Sequence, residues 1–247
     1  MTSVKRIFQC FCYIVTSLIF LSCNKEKDFD CLKSTGSIRK EERALPLFSK
    51  INLNDNINLI FVAGDEQKIM IEAGTNLLPK ILTRVIGDSL ILENRNYCDW
   101  VRSYDKQVKV YIYGNPGFRL YNNGYGTVSG KVTGTTFFVK SWSNENMELD
   151  IDLDFLWLET FKYGNTVLKG QANTVYAFRH NVGIVDMRPM QQCRELLIHD
   201  HGQGLSYVQA DSALTVRLFD SGSLEIYGQP QHRTIQIDKN GTVRFIK

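Results

Sequence analysis

Four carboxylates occupy every second position of Glu148-Leu149-Asp150-Ile151-Asp152-Leu153-Asp154. In an extended chain this alternation puts the acids on one face and the three apolar residues on the other. Neighbouring acids then stand about 6.6 Å apart, from a rise of about 3.3 Å per residue. Three readings fit that separation: a solvated strand face, a Ca²⁺ site built from Asp150, Asp152 and Asp154, or the acid–base pair of an inverting glycosidase. His199 and His201 flank Asp200 and point the same way from a strand, as a pair of zinc ligands would. A third ligand would have to come from His180 or Asp220, at similar distances before and after the pair, and an exposed polar corner before Gly202 is the ordinary alternative. Trp142, Tyr121 and Tyr125 are candidates for a surface on which sugar rings stack. Trp100 and Trp157 sit among apolar neighbours and are expected in the core. The chain has no Ser-His-Asp order, nucleophile elbow, HExxH or phosphate-binding loop, so no catalytic or cofactor-binding residue is assigned.

The elements that would carry these groups are strands. Ile57, Leu59 and Phe61 alternate with Asn58 and Ile60, and Val108, Val110 and Ile112 share one side of Gln107–Tyr113. Lys68–Glu72 and Ser89–Glu93 are further short runs, each beside a turn signal. Asn76–Thr83 alone offers apolar spacing of three and four, and Pro79 limits it to a turn or two of helix. Beyond Gly114, corners recur near Gly126, Asn146, Asn165, Gly183, Gly204, Gly222 and Gly241, a period of about 19 residues held over six intervals. Short apolar runs lie on both sides of most corners. The unit is too short for a propeller blade and holds no helix, whereas it fits one coil of a parallel β-solenoid of short strands and tight corners. An antiparallel sandwich with two strands per repeat would produce the same period.

Lys5 and Arg6 precede Ile7–Leu21, in which twelve of fifteen residues are apolar and none is charged. This is the pattern of an export signal, too short for an ordinary membrane span. Phe20-Leu21-Ser22-Cys23 resembles the bacterial lipobox, which implies cleavage before Cys23 and attachment of lipid (palmitate among its acyl chains) to that thiol. The charged run Asn24–Asp30 reads as a tether, and it is similar to signals that carry some Bacteroidetes lipoproteins to the cell surface. The partition expected is signal peptide 1–22, tether and lead-in 23–44, a β-rich region 45–114 with the ordered chain starting near Leu45, and the repeated region 115–247. Loss of Lys5 and Arg6 takes the formal charge from +3 to +1, too little to advertise nucleic-acid binding. Cys31, Cys98 and Cys193 then remain as thiols, one pair and one spare with the connectivity open.

Four segments together carry a resemblance over nearly the whole chain from Cys31: Cys31–Gly36, Ile51–Phe61, Ile71–Ile81 and Asn94–Tyr104, the last containing Cys98-Asp99-Trp100-Val101-Arg102-Ser103-Tyr104. They resemble the family called "putative auto-transporter adhesin, head GIN domain", common in Bacteroidetes. The resemblance implies an all-β, parallel β-helix-like fold with an irregular β N-terminal half, and a place in the cell envelope. It defines no catalytic residues. Its matching segments also pair Cys31 with Cys98, which implies a disulfide between them. The function expected is that of an outer-membrane lipoprotein, at the cell surface or the periplasmic face. It is held to the membrane by its lipid and serves in non-enzymatic adhesion or recognition of a glycan or of an envelope or host protein. The alternatives are a polysaccharide-active β-helix enzyme and a purely structural envelope protein.

Overall fold

The computed structural model describes residues 34–96, 107–114, 117–180 and 182–246. Cys23, Cys31, Cys98 and Trp100 lie outside them, and with them the lipidation and disulfide expectations. The N-terminal part contains β1 (Ile38–Arg43), β2 (Lys50–Leu53), β3 (Ile57–Val62), β4 (Lys68–Gly74), β5 (Ile81–Ile86), β6 (Ser89–Asn94) and β7 (Val108–Tyr113). The repeated part contains β8 (Arg119–Asn122), β9 (Val128–Ser141), β10 (Met147–Thr160), β11 (Thr166–Arg179), β12 (Val185–Asp186) and β13 (Met190–Asp200). It ends with β14 (Leu205–Gln209), β15 (Ala213–Leu218), β16 (Ser223–Tyr227), β17 (His232–Ile237) and β18 (Thr242–Phe245). The apolar spacing around Pro79 gives a single 3₁₀ turn, Leu78–Lys80. No helix among the described residues is long and apolar enough to cross a membrane.

From β8 onward every pairing between rungs is parallel, which decides for the solenoid and against the sandwich. Each rung has two straight segments. One set of segments runs through Phe138, Trp157 and Tyr176, which are register partners in consecutive rungs; the other runs through Lys131, Asp150 and Lys169. The strands are not all short: β9, β10 and β11 are each fourteen residues long and pass from one set to the other without a break. They do so at a hinge where two successive residues face outward, Asp154 and Phe155 in β10. Asn173 Nδ2 donates to Asp154 Oδ1 at 2.9 Å, tying the hinges of neighbouring rungs. Gly170 sits where β11 approaches Ile151 so closely that a Cβ would collide with that backbone, and its φ of 83° is one glycine tolerates.

The N-terminal half departs from simple stacking. β2 and β3 form one rung, but β6 and β7 stack on the far side of it from β8 and β9. Antiparallel β5 on β6, and β4 on β7 with β1 beyond it, then close that end. The ordered chain therefore begins before Leu45. β1 is charged and almost fully exposed, so no apolar alternation marks it in the sequence.

Between the two sets of segments lies one apolar core, with Phe137, Val139, Leu156, Leu158, Val175 and Ile198 facing Leu149, Ile151 and Leu168. At one corner an inward column turns polar: Asn122, Ser141, Thr160, Arg179 and Asp200 occupy equivalent positions in successive rungs and all are buried. Three of these side chains accept from the corner amides two residues on, Gly124 N on Asn122, Ser143 N on Ser141 and Gly202 N on Asp200. Arg179 Nη2 donates to Asp200 Oδ2 at 2.5 Å and to the Gly204 carbonyl, while Nη1 reaches the Gly183 carbonyl. Burial pushes the Asp200 carboxyl up, and Arg179 and the Gly202 amide pull it back. Removing one partner leaves the other charged in the core, so Asp200→Ala should lower unfolding stability by about 3–5 kcal/mol. Replacing both, Arg179→Met with Asp200→Leu, should cost much less, as read from urea denaturation midpoints.

Candidate ligand surface

The two outward faces of the solenoid differ in kind. The face carrying the acidic row is a charge lattice. Glu148 pairs with Lys169, Asp150 with Lys131 at 3.7 Å, and Asp152 accepts from Gln171 Nε2 at 2.9 Å. The four acids stand side by side on an open strand, each turned to a cation or an amide of a neighbouring rung. A shallow depression of about 160 Å³ beside Asp152 and Asp154 is lined by their own amide partners Gln171 and Asn173. Among the described residues no three His, Cys, Asp or Glu side chains gather so as to hold a metal ion.

The opposite face is aromatic. In register across three rungs stand Phe138, Trp157 and Tyr176, with Phe155 and Phe178 on either side. Trp157 is thus on the outer face and half-buried; Leu156 and Leu158 enter the core instead. Its ring stacks on Phe178 with centroids 4.6 Å apart and on Phe138 at 6.4 Å, while Phe155 meets Tyr176 edge-on at 5.1 Å. Such pairs contribute about 0.5–1.5 kcal/mol each beyond the area they bury. Tyr121 lies at the N-terminal end of this face, where it lines a depression of about 220 Å³ with Arg119, Phe138, Lys140 and Trp157.

A second ladder runs along the adjoining corner. Trp142, Phe161, His180, His201 and Phe219 stack in consecutive rungs at 4.7, 4.7, 5.3 and 4.0 Å, with planes within 2–18° of parallel. His180 and His201 therefore meet ring against ring, which occupies their faces and does not aim their nitrogens at a common point. His199 points outward beside them, edge-on to Phe178 and Phe219. Tyr125, at the tip of the first corner, is 60% exposed. Of the sequence candidates, Tyr121 joins the aromatic face, Trp142 begins the corner ladder and Tyr125 lies at the first corner. Phe138, Phe155, Tyr176 and Phe178 escape a reading of local sequence, although Phe138, Trp157 and Tyr176 recur at the period of the repeat itself and so mark the column.

Glu159 joins face and corner. It accepts from Lys140 at 2.8 Å and lies 3.3 Å from His180 Nε2 and 3.5 Å from Trp157 Nε1. Burial pushes its carboxyl up, but these partners outweigh that and hold it below the usual range.

Residues 47–230 match the family described as "putative auto-transporter adhesin, head GIN domain". The chain belongs to that family. Solved structures share the fold. One described as a putative adhesin from Bacteroides fragilis has a TM-score of 0.73 at 17% identity, covering 85% of this chain and 97% of its own. A putative adhesin from Parabacteroides merdae gives 0.55 at 15%, covering 87% and 98%. A putative lipid binding protein from Parabacteroides distasonis gives 0.58 at 12%, again covering 87% and 98%. No curated protein matches the chain. Within this head GIN chain the one free cysteine among the described residues is Cys193; burial, with Asp211 nearby, pushes its thiol up to about 12.

The imidazoles in and beside the corner ladder make stability depend on pH. Burial lowers the affinity of His199 and His201 for a proton, with Arg217 and the neighbouring imidazoles adding to it. As pH falls through about 6.5, the unfolded chain binds protons that the folded ladder resists, so this stability is full above that value and is lost below it. The urea midpoint should fall between pH 7.5 and pH 5.5, and fall less in the double variant His199→Gln/His201→Gln.

Proposed function

We propose that the protein is a lipid-anchored, non-enzymatic recognition module of the cell envelope that binds glycan on its aromatic face. The observation that carries this reading is the asymmetry of the solenoid. One face neutralises its own charges across rungs, while the other presents Phe138, Phe155, Trp157, Tyr176 and Phe178 outward from a rigid sheet. Sugar rings offer apolar C–H faces to such rings, and polar groups at the border, here Lys140 and Glu159, suit their hydroxyls. The family's adhesin description, and those of two of the similar structures, agree with a binding role. A glycan-cleaving reading would need two carboxylates aimed across a cleft, and the acidic row stands on an open face with its partners already taken.

Two measurements test the proposal. On a glycan array followed by titration calorimetry, the purified protein should select a polysaccharide class. Trp157→Ala should weaken that binding about tenfold, the loss of one stacking contact. Asp150→Asn on the charged face should leave it unchanged, and equal loss in both variants would count against the aromatic face. For the anchor, expression in a bacterial host with an alkyne fatty acid should label the wild-type chain and leave it in the membrane fraction. Cys23→Ala should lose both the label and the membrane association.

A further inference from the structure

The N-terminal end of the aromatic face differs from the rest of it. Phe138 and Trp157 provide two rings inclined by 30°, continuous with each other through the rung register. Over the Phe138 ring, 5.1 Å from its centroid, lies the guanidinium of Arg119, the residue one rung before it in the same column. Arg119 is exposed and has no carboxylate partner among the described residues, and the Tyr121 hydroxyl beside it has no hydrogen-bond partner among them either. The neighbouring cation is different: Lys140 already holds Glu159 at 2.8 Å. Two other outer-surface cations, Lys131 and Arg217, reach acids of the next rung, Asp150 and Asp238. Arg119 thus presents, at the end of a row of rings, one positive charge and five directed N–H donors that meet no acid or acceptor among the described residues.

Building on the glycan reading, we infer that this end of the face takes a sugar bearing a carboxylate, a uronic-acid unit of a polysaccharide. The sugar lies against the outward edges of Phe138 and Trp157, and its carboxylate meets the Arg119 fork, which matches its two oxygens. Tyr121 donates its hydroxyl to the same oxygens or to an adjacent sugar oxygen. One guanidinium balances one carboxylate, which favours a singly charged sugar over a dianionic phosphate.

The test is calorimetry of the purified protein with oligogalacturonate, oligomannuronate and hyaluronan oligosaccharides, each beside its carboxyl-reduced form and beside a sulfated galactan. At least one acidic oligosaccharide should bind about tenfold more tightly than its reduced form, with the difference shrinking as salt rises. Arg119→Gln should abolish that difference, and Arg119→Lys should restore part of it. Trp157→Ala should weaken both forms. Equal binding of acidic and reduced sugars, or preference for the sulfated galactan over all three, would overturn the carboxylate assignment and leave the glycan reading standing. No binding to any of these oligosaccharides overturns the assignment; only an empty glycan array as well would overturn the recognition role itself.

Discussion

The solenoid depends throughout on in-register parallel stacking. Rungs about 4.8 Å apart place each residue directly against its counterpart one period before and after. A side chain is therefore tolerated only if it is compatible with its own column. Apolar columns build the core, and asparagines pass a hydrogen bond along the outer corner, with Asn165 N donating to Asn146 and Ile184 N to Asn165. Rings stack into ladders, and charges alternate in sign, as in Lys131, Asp150 and Lys169. The acidic row of β10 fits this constraint because its like charges lie along one strand, while the columns of Asp150 and Asp152 place lysine or amide groups in adjoining rungs.

The same rule explains the polar corner. Asn122, Ser141 and Thr160 are small uncharged groups suited to a buried corner, and a single charge there would be untenable. Arg179 and Asp200 enter together, in adjacent rungs, with the corner carbonyls of Gly183 and Gly204 taking up further guanidinium donors. The next member of the column, Leu218, returns it to apolar packing. The pair also spans a lengthened repeat: Arg179 and Asp200 are 21 positions apart, whereas Asn122 and Ser141 in the same column are 19 apart.

How much of this is legible in the sequence depends on which constraints are local. The period is visible because each corner needs glycine or asparagine, and the all-β class because Val108–Tyr113 and its like alternate. The reversed placement of the β6–β7 rung is invisible, since no residue type records which side of a rung the chain returns to. Trp157 is misassigned to the core for a definable reason. The two outward residues at Asp154 and Phe155 shift the alternation by one, so residues beyond the hinge face opposite to the direction the acidic row suggests. The carboxylates are conspicuous and mutually satisfied, whereas the rings are dispersed over successive repeats and converge only when the chain is coiled.

That convergence bears on binding energetics. A flexible surface loses side-chain entropy when it captures a ligand, at about 0.5–1.5 kcal/mol for each rotamer-rich group immobilised. Here Trp157 is already held between Phe138 and Phe178, and Trp142 lies flat on Phe161, so folding has restricted these rings before any ligand arrives. The backbone beneath them is bonded to a rung on either side, which limits breathing of the face as well. A shallow site gains little from enclosure, so preorganisation is the means by which such a surface retains a ligand. A polymeric glycan adds a second, because successive sugars can engage successive rungs and each contact raises the effective concentration for the next. A stack of rings at fixed register is suited to a chain of repeating units more than to an isolated small molecule.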